Sequence, residues 1–401
     1  MGHNMSEHSY TRNEKVAPLV TFFFNFAYMG YITFFSVYLR TTLGFEPALI
    51  SYLAILYPLG LVLFGPVWGR ASDRRGDRKR LLLQGTFASG IVLCLLTFIN
   101  AGMKWLVLPV LFSYGAFAIS NQTLVIAIFV DDSGGNTAKL GVLNASVSAG
   151  NAAGGIVFGL LVDIFGVQYF GLWAGVITFV SLFLSFSLQG TAKDPPANEF
   201  TASSPPPTVK DPITRDFRQL LVSIFFRFVG IFAVFTIASN IMAARGMDAI
   251  QIGILSSINP ICQAILMIVV GKLLQKINFK TMYLLGAVLA SCSLFLFAGA
   301  SDFVAFVVSQ VVLAVSYATL WSAVIYFLSE TTTKANRGQN TGYLNTAQYS
   351  GHVGGNALFA TLLLVFPPYT IPITIVAFIP LIAFAIVAIH HFQSLKQPHG
   401  E

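Results

Sequence analysis

The chain has 401 residues, 55% of them hydrophobic and only 10% charged, with a formal net charge of +7 and a mean hydropathy of +0.74. A soluble domain is typically about a quarter charged, so this composition excludes a soluble enzyme, a nucleic-acid binder and a disordered chain. It suits a membrane protein: at about 20 apolar residues per spanning helix, twelve spans take roughly 240 residues and leave room for loops and one longer linker.

In chain order, residues 1–15 (MGHNMSEHSYTRNEK) form a polar tail that runs straight into a hydrophobic stretch. That stretch is too long for a signal-peptide core and has no small-residue cleavage site after it, so it reads as the first membrane helix. Apolar runs follow at 16–39, 48–68, 81–100, 105–130, 140–165, 168–188, 220–243, 250–274, 281–300, 303–329, 341–366 and 371–391. Segments such as FFFNFAYMGYITFF lack the alternation of a membrane β-strand. The expected fold is therefore an all-α membrane protein of twelve transmembrane helices. Residues 189–219 hold Pro195, Pro196, Pro205, Pro206 and Pro207 among Ser, Thr and charges, a flexible linker by composition. The linker separates two six-helix bundles, 16–188 and 220–391, and a short tail, 392–401, ends the chain.

The bases orient this arrangement. With the N-terminus inside, cytoplasmic segments hold Arg12, Lys15, the six bases between 70 and 80, Lys139, Lys193, Lys210, Arg215, Arg218, Lys272, Lys276, Lys280, Lys334, Arg337 and Lys396. Those are nineteen, against three in outer loops: Arg40, Lys104 and Arg245. The bias predicts cytoplasmic termini and an even number of spans. Cys94, Cys262 and Cys292 lie in apolar stretches with neither metal-site nor disulfide spacing and read as packed free thiols. No cofactor or metal is implied.

The halves repeat. GVLNASVSAGNAAGG from Gly141 aligns with GYLNTAQYSGHVGGN from Gly342 at an offset of 201, and Lys79 and Gly85 fall on Lys280 and Gly286 at the same offset. Two parallel six-helix repeats form a transporter architecture with its site between the halves near mid-membrane.

The loop GRASDRRGDRKRLLL, starting at Gly69, has a Gly, an Asp four residues on, then a basic–x–Gly–x–Arg–Lys run. It resembles the signature loop of the major facilitator superfamily, matching at Gly69, Asp73, Arg74, Gly76, Arg78 and Lys79, with Asp77 where the family often has a base. GKLLQKINFK, from Gly271, is similar to the degraded second copy of that loop. The resemblance covers roughly 16–391. It implies a conformational latch: Gly69 lets two helices approach, Asp73 accepts backbone hydrogen bonds from the other half, and Arg74 and Arg78 hold Asp73 or the facing helix ends, with Gly76 in the turn. The same bases also keep the loop inside. Gly150/Gly154 and Gly351/Gly355 are small-x-x-x-small pairs that let backbones touch; they resemble the glycine-rich fifth helix of exporters in this superfamily, without its usual Gly-Pro step.

Arg227, inside the seventh span, is an intramembrane charge: either a site for an anionic substrate group or a side chain snorkelling to the headgroups. His352, in the eleventh span, reads as a proton-coupling group or as a neutral hydrogen-bonded histidine. All sixteen acids fall in tails, loops or span ends. The embedded carboxylate common in proton-coupled relatives is missing, as is their Arg-x-x-Gln-Gly in span 4. Candidate substrate contacts are Asn25, Tyr28, Tyr31, Asn121, Gln122, Arg227, Gln263, Tyr317, Trp321 and Gln348; Tyr28 and Tyr31 share a helix face. By the resemblance, spans 1, 4, 7 and 10 line the cavity. The set suits a neutral or weakly anionic organic solute. Two readings stand: proton-coupled export of amphipathic, drug-like compounds, and uptake of a sugar-like or weakly anionic solute by symport or uniport, the second echoed by a likeness of the first two spans to oligosaccharide permeases. A membrane receptor or membrane-embedded enzyme is the remote alternative. The expected protein is a functional monomer in the plasma or inner membrane, with protons as candidate coupling ion.

Overall fold

The computed structural model describes residues 10–75, 77–133, 137–190, 214–273, 277–331 and 337–390. Regular structure among the described residues is helical, and eleven stretches are long and apolar enough to cross a membrane. The first half comprises α1 (Arg12–Thr41), α2 (Pro47–Leu53) and α3 (Leu56–Arg75) on one path, α4 (Arg78–Leu96), α5 (Val107–Ser133), α6 (Thr137–Phe165) and α7 (Phe170–Phe186). The second comprises α8 (Arg215–Phe235) and α9 (Ala238–Ala244) on one path, α10 (Ala249–Leu273), α11 (Phe279–Gly299), α12 (Phe303–Thr331), α13 (Arg337–Val365), and α14 (Thr370–Val376) with α15 (Ile379–Ile389). Helix α13 is as long as its neighbours at 29 residues but stands outside the eleven, because GYLNTAQYSGHVGGN makes it too polar.

Local chemistry moves two edges. Helix α1 starts at Arg12 rather than 16 because Thr11 and Glu14 form a capping box: Thr11 Oγ1 accepts the Glu14 N–H at 3.2 Å, and Glu14 Oε2 accepts the Thr11 N–H at 2.9 Å. Helix α8 starts at Arg215, inside the expected linker, because the Thr214 hydroxyl accepts the Phe217 N–H at 3.2 Å. The rest of the linker, both chain ends, Gly76, and the bases Lys193, Lys210, Lys276, Lys334 and Lys396 lie outside the described residues.

Three paths are broken, which hydropathy does not reveal. The α2–α3 path leaves the helix at Ala54 and Ile55, with Pro58 just beyond; a proline has no N–H and its ring crowds the carbonyl four residues back. That carbonyl, of Ala54, is approached by Asn356 Nδ2 at 3.4 Å, which re-satisfies a backbone group freed inside an apolar region. Pro380 stands just after the α14–α15 break. The α8–α9 break, at Thr236 and Ile237, has no proline; the Thr236 hydroxyl donates back to Phe232 O at 2.8 Å.

The glycine pairs set the helix spacing within each half. A Cβ on Gly150 would sit 2.3 Å from Phe22 O and one on Gly154 2.4 Å from Phe26 O, so α6 lies directly on the backbone of α1. Gly351 and Gly355 repeat the joint on α8, where a Cβ would meet Phe225 O at 2.8 Å and Val229 O at 2.4 Å. Small residues also join the halves: a Cβ on Gly253 of α10 would lie 2.5 Å from Gly155 O of α6. Large apolar side chains such as Phe98, Ile164, Phe183, Ile268 and Val304 are exposed on the outside of the bundle. Cys292 is exposed there too, not packed, because it shares an outward face of α11 with Leu285 and Leu296.

Candidate functional site

A cavity of about 220 Å³ lies between the halves. From the first half it takes Tyr28, Met29, Ile32 and Thr33 of α1 and Asn151 of α6. The second half supplies most of the wall: Arg227, Ile231, Phe232 and Phe235 of α8, Ala238, Ser239 and Met242 around α9, Ser256, Asn259, Pro260 and Gln263 of α10, and Gln310, Leu313 and Tyr317 of α12. A second, much smaller cavity of about 10 Å³ is lined by Tyr28, Tyr31, Tyr57, His352 and Asn356 among others. Among the described residues, no Asp or Glu lines either one.

Arg227 dominates the electrostatics. It is 1% exposed, and among the described residues none of its three guanidinium nitrogens has a hydrogen-bond partner. Snorkelling is therefore ruled out in this conformation: Arg227 lies twelve residues past Arg215, roughly 18 Å along the helix, and lines the cavity. Its Cζ lies 4.8 Å from the Phe228 ring centroid and 5.4 Å from that of Tyr317. Such contacts contribute about 0.5–2 kcal/mol but leave five N–H donors unmet, and an uncompensated buried charge costs several kcal/mol.

Of the ten expected contact residues, Tyr28, Arg227, Gln263 and Tyr317 line the main cavity. Tyr31 reaches the small one, packed 4.6 Å from Tyr114 and 5.5 Å from Tyr57 between ring centroids. The other five are engaged or placed elsewhere. Asn25 Nδ2 donates to Thr21 O at 2.8 Å within its own helix. Asn121 Nδ2 donates to Thr86 Oγ1 at 3.0 Å, joining α5 to α4. Gln122 Oε1 accepts the Tyr349 hydroxyl at 3.1 Å, a bond between the halves. Trp321 stacks behind Tyr317 with centroids 5.8 Å apart, and Gln348 is half-buried on α13, outside both cavity walls. Span 4 thus supplies no wall residue, against expectation, because α5 spends its amides on α4 and α13; α6 and α10 take its place.

His352 is 7% exposed and lies in the small cavity, its ring stacked on Phe232 with centroids 3.3 Å apart. Its Nε2 has no hydrogen-bond partner among the described residues. Asn151, its counterpart by the 201-residue offset, lines the large cavity, and its Oδ1 has no hydrogen-bond partner among the described residues.

The halves are tied together at the end where α1 stops. Arg40 Nη1 donates to Asn240 Oδ1 at 2.9 Å and to the Tyr369 hydroxyl at 3.2 Å. Nearby, Tyr52 and Thr361 share a 3.0 Å hydroxyl bond. Burial raises the pKa of Tyr369 while Arg40 opposes this, so the phenol stays neutral and the tie does not titrate near neutral pH. At the opposite end Arg78 pairs with Asp131, Lys139 with Glu14 and His390 with Asp216, each within one half.

Among the described residues, nothing lies within 4 Å of a Cβ built on Gly69 in this conformation. Arg78 pairs with Asp131 of α5, and Asp77 caps α4 by accepting the Arg80 N–H at 3.0 Å, while the Asp73 side chain lies outside the described residues. Arg74 is exposed.

Sequence reasoning passed over Asn151, Asn259, Gln310 and Arg40. Asn259 precedes Gln263 by one helical turn and bonds to it, and Gln310 precedes Tyr317 by two, so face periodicity from the chosen residues would have found both. Arg40 offered no signal beyond being a scarce outer base, since its partners are 200 and 329 residues away.

A helical bundle whose halves share a mid-span cavity and joints of matching small residues defines a membrane carrier. The family model described as Major Facilitator Superfamily matches residues 19–221 and 220–400, and the chain belongs to that family. It is a multi-pass membrane protein. It is similar to multidrug resistance protein MdtG of Dickeya zeae (strain Ech586), 27% identical over 44% of this chain and 43% of that one, so the match spans less than half of either. The Staphyloferrin B transporter of Staphylococcus aureus (strain NCTC 8325 / PS 47) is 23% identical over 82% of this chain and 79% of that one. Among solved structures, nucleoside transporter NupG superposes with a TM-score of 0.76 at 16% identity, covering 94% of this chain and 99% of that one, a likeness of fold.

Proposed function

We propose that this chain is a twelve-span secondary transporter that exports a small organic solute by alternating access, with both termini cytoplasmic. The observation that carries the reading is the cavity walled by both halves and closed at the Arg40 end. Helix α13 counts as the twelfth span: it is long enough to cross, and its polarity is absorbed by packing, with Gly351 and Gly355 against α8 and His352 and Asn356 turned inward. The nineteen-to-three bias of bases puts the Arg40 end outside, so this conformation is inward-facing. In the opposite state the inner ends close, and the loop with Gly69, Asp73, Arg74 and Gly76 then serves as the latch. The bundles are 16–188 and 220–391. Tyr28, Arg227, Gln263 and Tyr317, joined by Asn151, Asn259 and Gln310, contact the solute, and His352 is the coupling candidate.

Export is favoured by the likeness to a multidrug resistance protein and by the glycine joints of α6 and α13. The test is uptake and counterflow by the full-length chain in proteoliposomes, over a panel of organic solutes, with and without a pH gradient. Saturable counterflow of at least one solute is expected. Absence of flux for every solute under every gradient would overturn the reading.

A further inference from the structure

Within the transport reading, on which this rests, the cavity itself selects a chemical class. Among the described residues it contains one full positive charge and no carboxylate to answer it. Arg227 is buried, its nitrogens have no hydrogen-bond partner among the described residues, and its hydrophobic contacts are the faces of Phe228 and Tyr317. A guanidinium presents a planar fork of donors that fits two oxygens of one oxyanion. The wall beyond it changes character in one direction. Along the same edge of α8 and α9 come Ile231, Phe232, Phe235, Ala238 and Met242. Gln263 and Asn259 flank the path from α10 and offer neutral hydrogen bonds without a second charge.

Size narrows the class further. A closed apolar cavity of about 150 Å³ takes a benzene ring, whereas drug-sized sites run to roughly 300–1,000 Å³. The 220 Å³ here suits a ring-sized apolar body carrying one charged group.

We infer that the solute is a small amphipathic monoanion, a single carboxylate or equivalent oxyanion on an apolar body about the size of one aromatic ring. The oxyanion docks on Arg227, and the body lies against Ile231, Phe232 and Phe235. Neutral solutes leave the guanidinium unanswered, and cations are repelled by it.

The test uses the purified full-length chain in detergent, with thermal unfolding read in the presence of matched probes. Benzoate is paired with benzamide, phenylacetate with phenylacetamide, and benzenesulfonate and benzylammonium are added, all at one ionic strength. At least one monoanion is expected to raise the melting temperature by a few degrees, with its uncharged partner and benzylammonium inactive. Sulfonate against carboxylate then separates the two oxyanion chemistries. In Arg227→Gln the anion-induced shift is lost.

Without any probe, Arg227→Met is expected to melt at or above the wild type, because it removes a charge the protein leaves unpaired. The inference is overturned if no monoanion shifts the melting temperature, if amides or the ammonium stabilise as well, if the shift survives in Arg227→Gln, or if Arg227→Met melts well below the wild type, which would make Arg227 structural. Counterflow separates this from the transport reading. A neutral solute exchanged equally by wild type and Arg227→Gln removes the anion and keeps the transporter, whereas failure of all flux removes the transporter.

Discussion

Replacing Arg40 by alanine is expected to loosen the closed end without disturbing the cavity. One nitrogen of Arg40 makes both bonds across the halves, to Asn240 at 2.9 Å and Tyr369 at 3.2 Å. Hydrogen bonds from a charged donor contribute about 1.5–3 kcal/mol when buried, and the exposure of Arg40 reduces this. About 1–2 kcal/mol for the pair is a reasonable working figure, a factor of roughly 5–30 in the ratio of closed to open ends. Asn240 adds to the loss, because it is 1% exposed and its Nδ2 already lacks a partner among the described residues. The assay is pulsed electron resonance between spin labels at Ala101 and Asp248, exposed positions on the two halves at this end, in a background without Cys94, Cys262 and Cys292. A longer-distance population should grow in Arg40→Ala and grow less in Arg40→Lys, which keeps a donor. In a Tyr369→Phe background the added effect of Arg40→Ala should shrink, since part of the tie is already gone. A distance distribution in Arg40→Ala that matches the wild type would refute the tie as a gate.

Two further outcomes concern packing and coupling. Gly154→Val and Gly355→Val each force a side chain to within 2.4 Å of a carbonyl oxygen on the partnering helix; overpacking of about 2 kcal/mol should lower the melting temperature by about 4–8 °C. Gly342→Ala, with nothing within 4 Å, should melt like the wild type, and equal melting of all three would remove the glycine joint as a packing determinant. Among the described residues, His352 is the one cavity-lining side chain of a type that exchanges protons near neutral pH. His352→Gln is accordingly expected to keep solute binding while flattening the response of flux to an imposed pH gradient, and an unchanged response would exclude it from coupling.

Much of the helix layout was legible because it depends on quantities that sum along the chain. Eleven of the twelve apolar runs coincide, among the described residues, with helices long and apolar enough to cross a membrane, since a 20-residue hydrophobic window has one low-energy form in lipid. Gly150, Gly154, Gly351 and Gly355 were legible for a related reason: their spacing is itself a helix-face signal, and all four meet a neighbouring backbone. The breaks at Ala54, Thr236 and Ala377 were not legible, because one or two residues barely change a window average.

The site was readable by residue type but not by address. Among intramembrane amides and phenols, Gln263 faces the cavity and Asn121 does not, yet both are polar residues in apolar helices. The difference lies in whether a neighbouring helix happens to offer a partner such as Thr86, and that depends on helix rotation. Arg227 shows the same division. Sequence determined that one charge would sit inside the membrane with no acid near it in the chain. Only the tertiary structure decided that it turns inward, 1% exposed, instead of reaching the surface, because Phe228, Tyr317 and the α10 wall close around it. Composition and periodicity thus settled which segments form the long helices. Which side chains meet at its centre was settled by packing between residues hundreds of positions apart, and no local pattern encodes that.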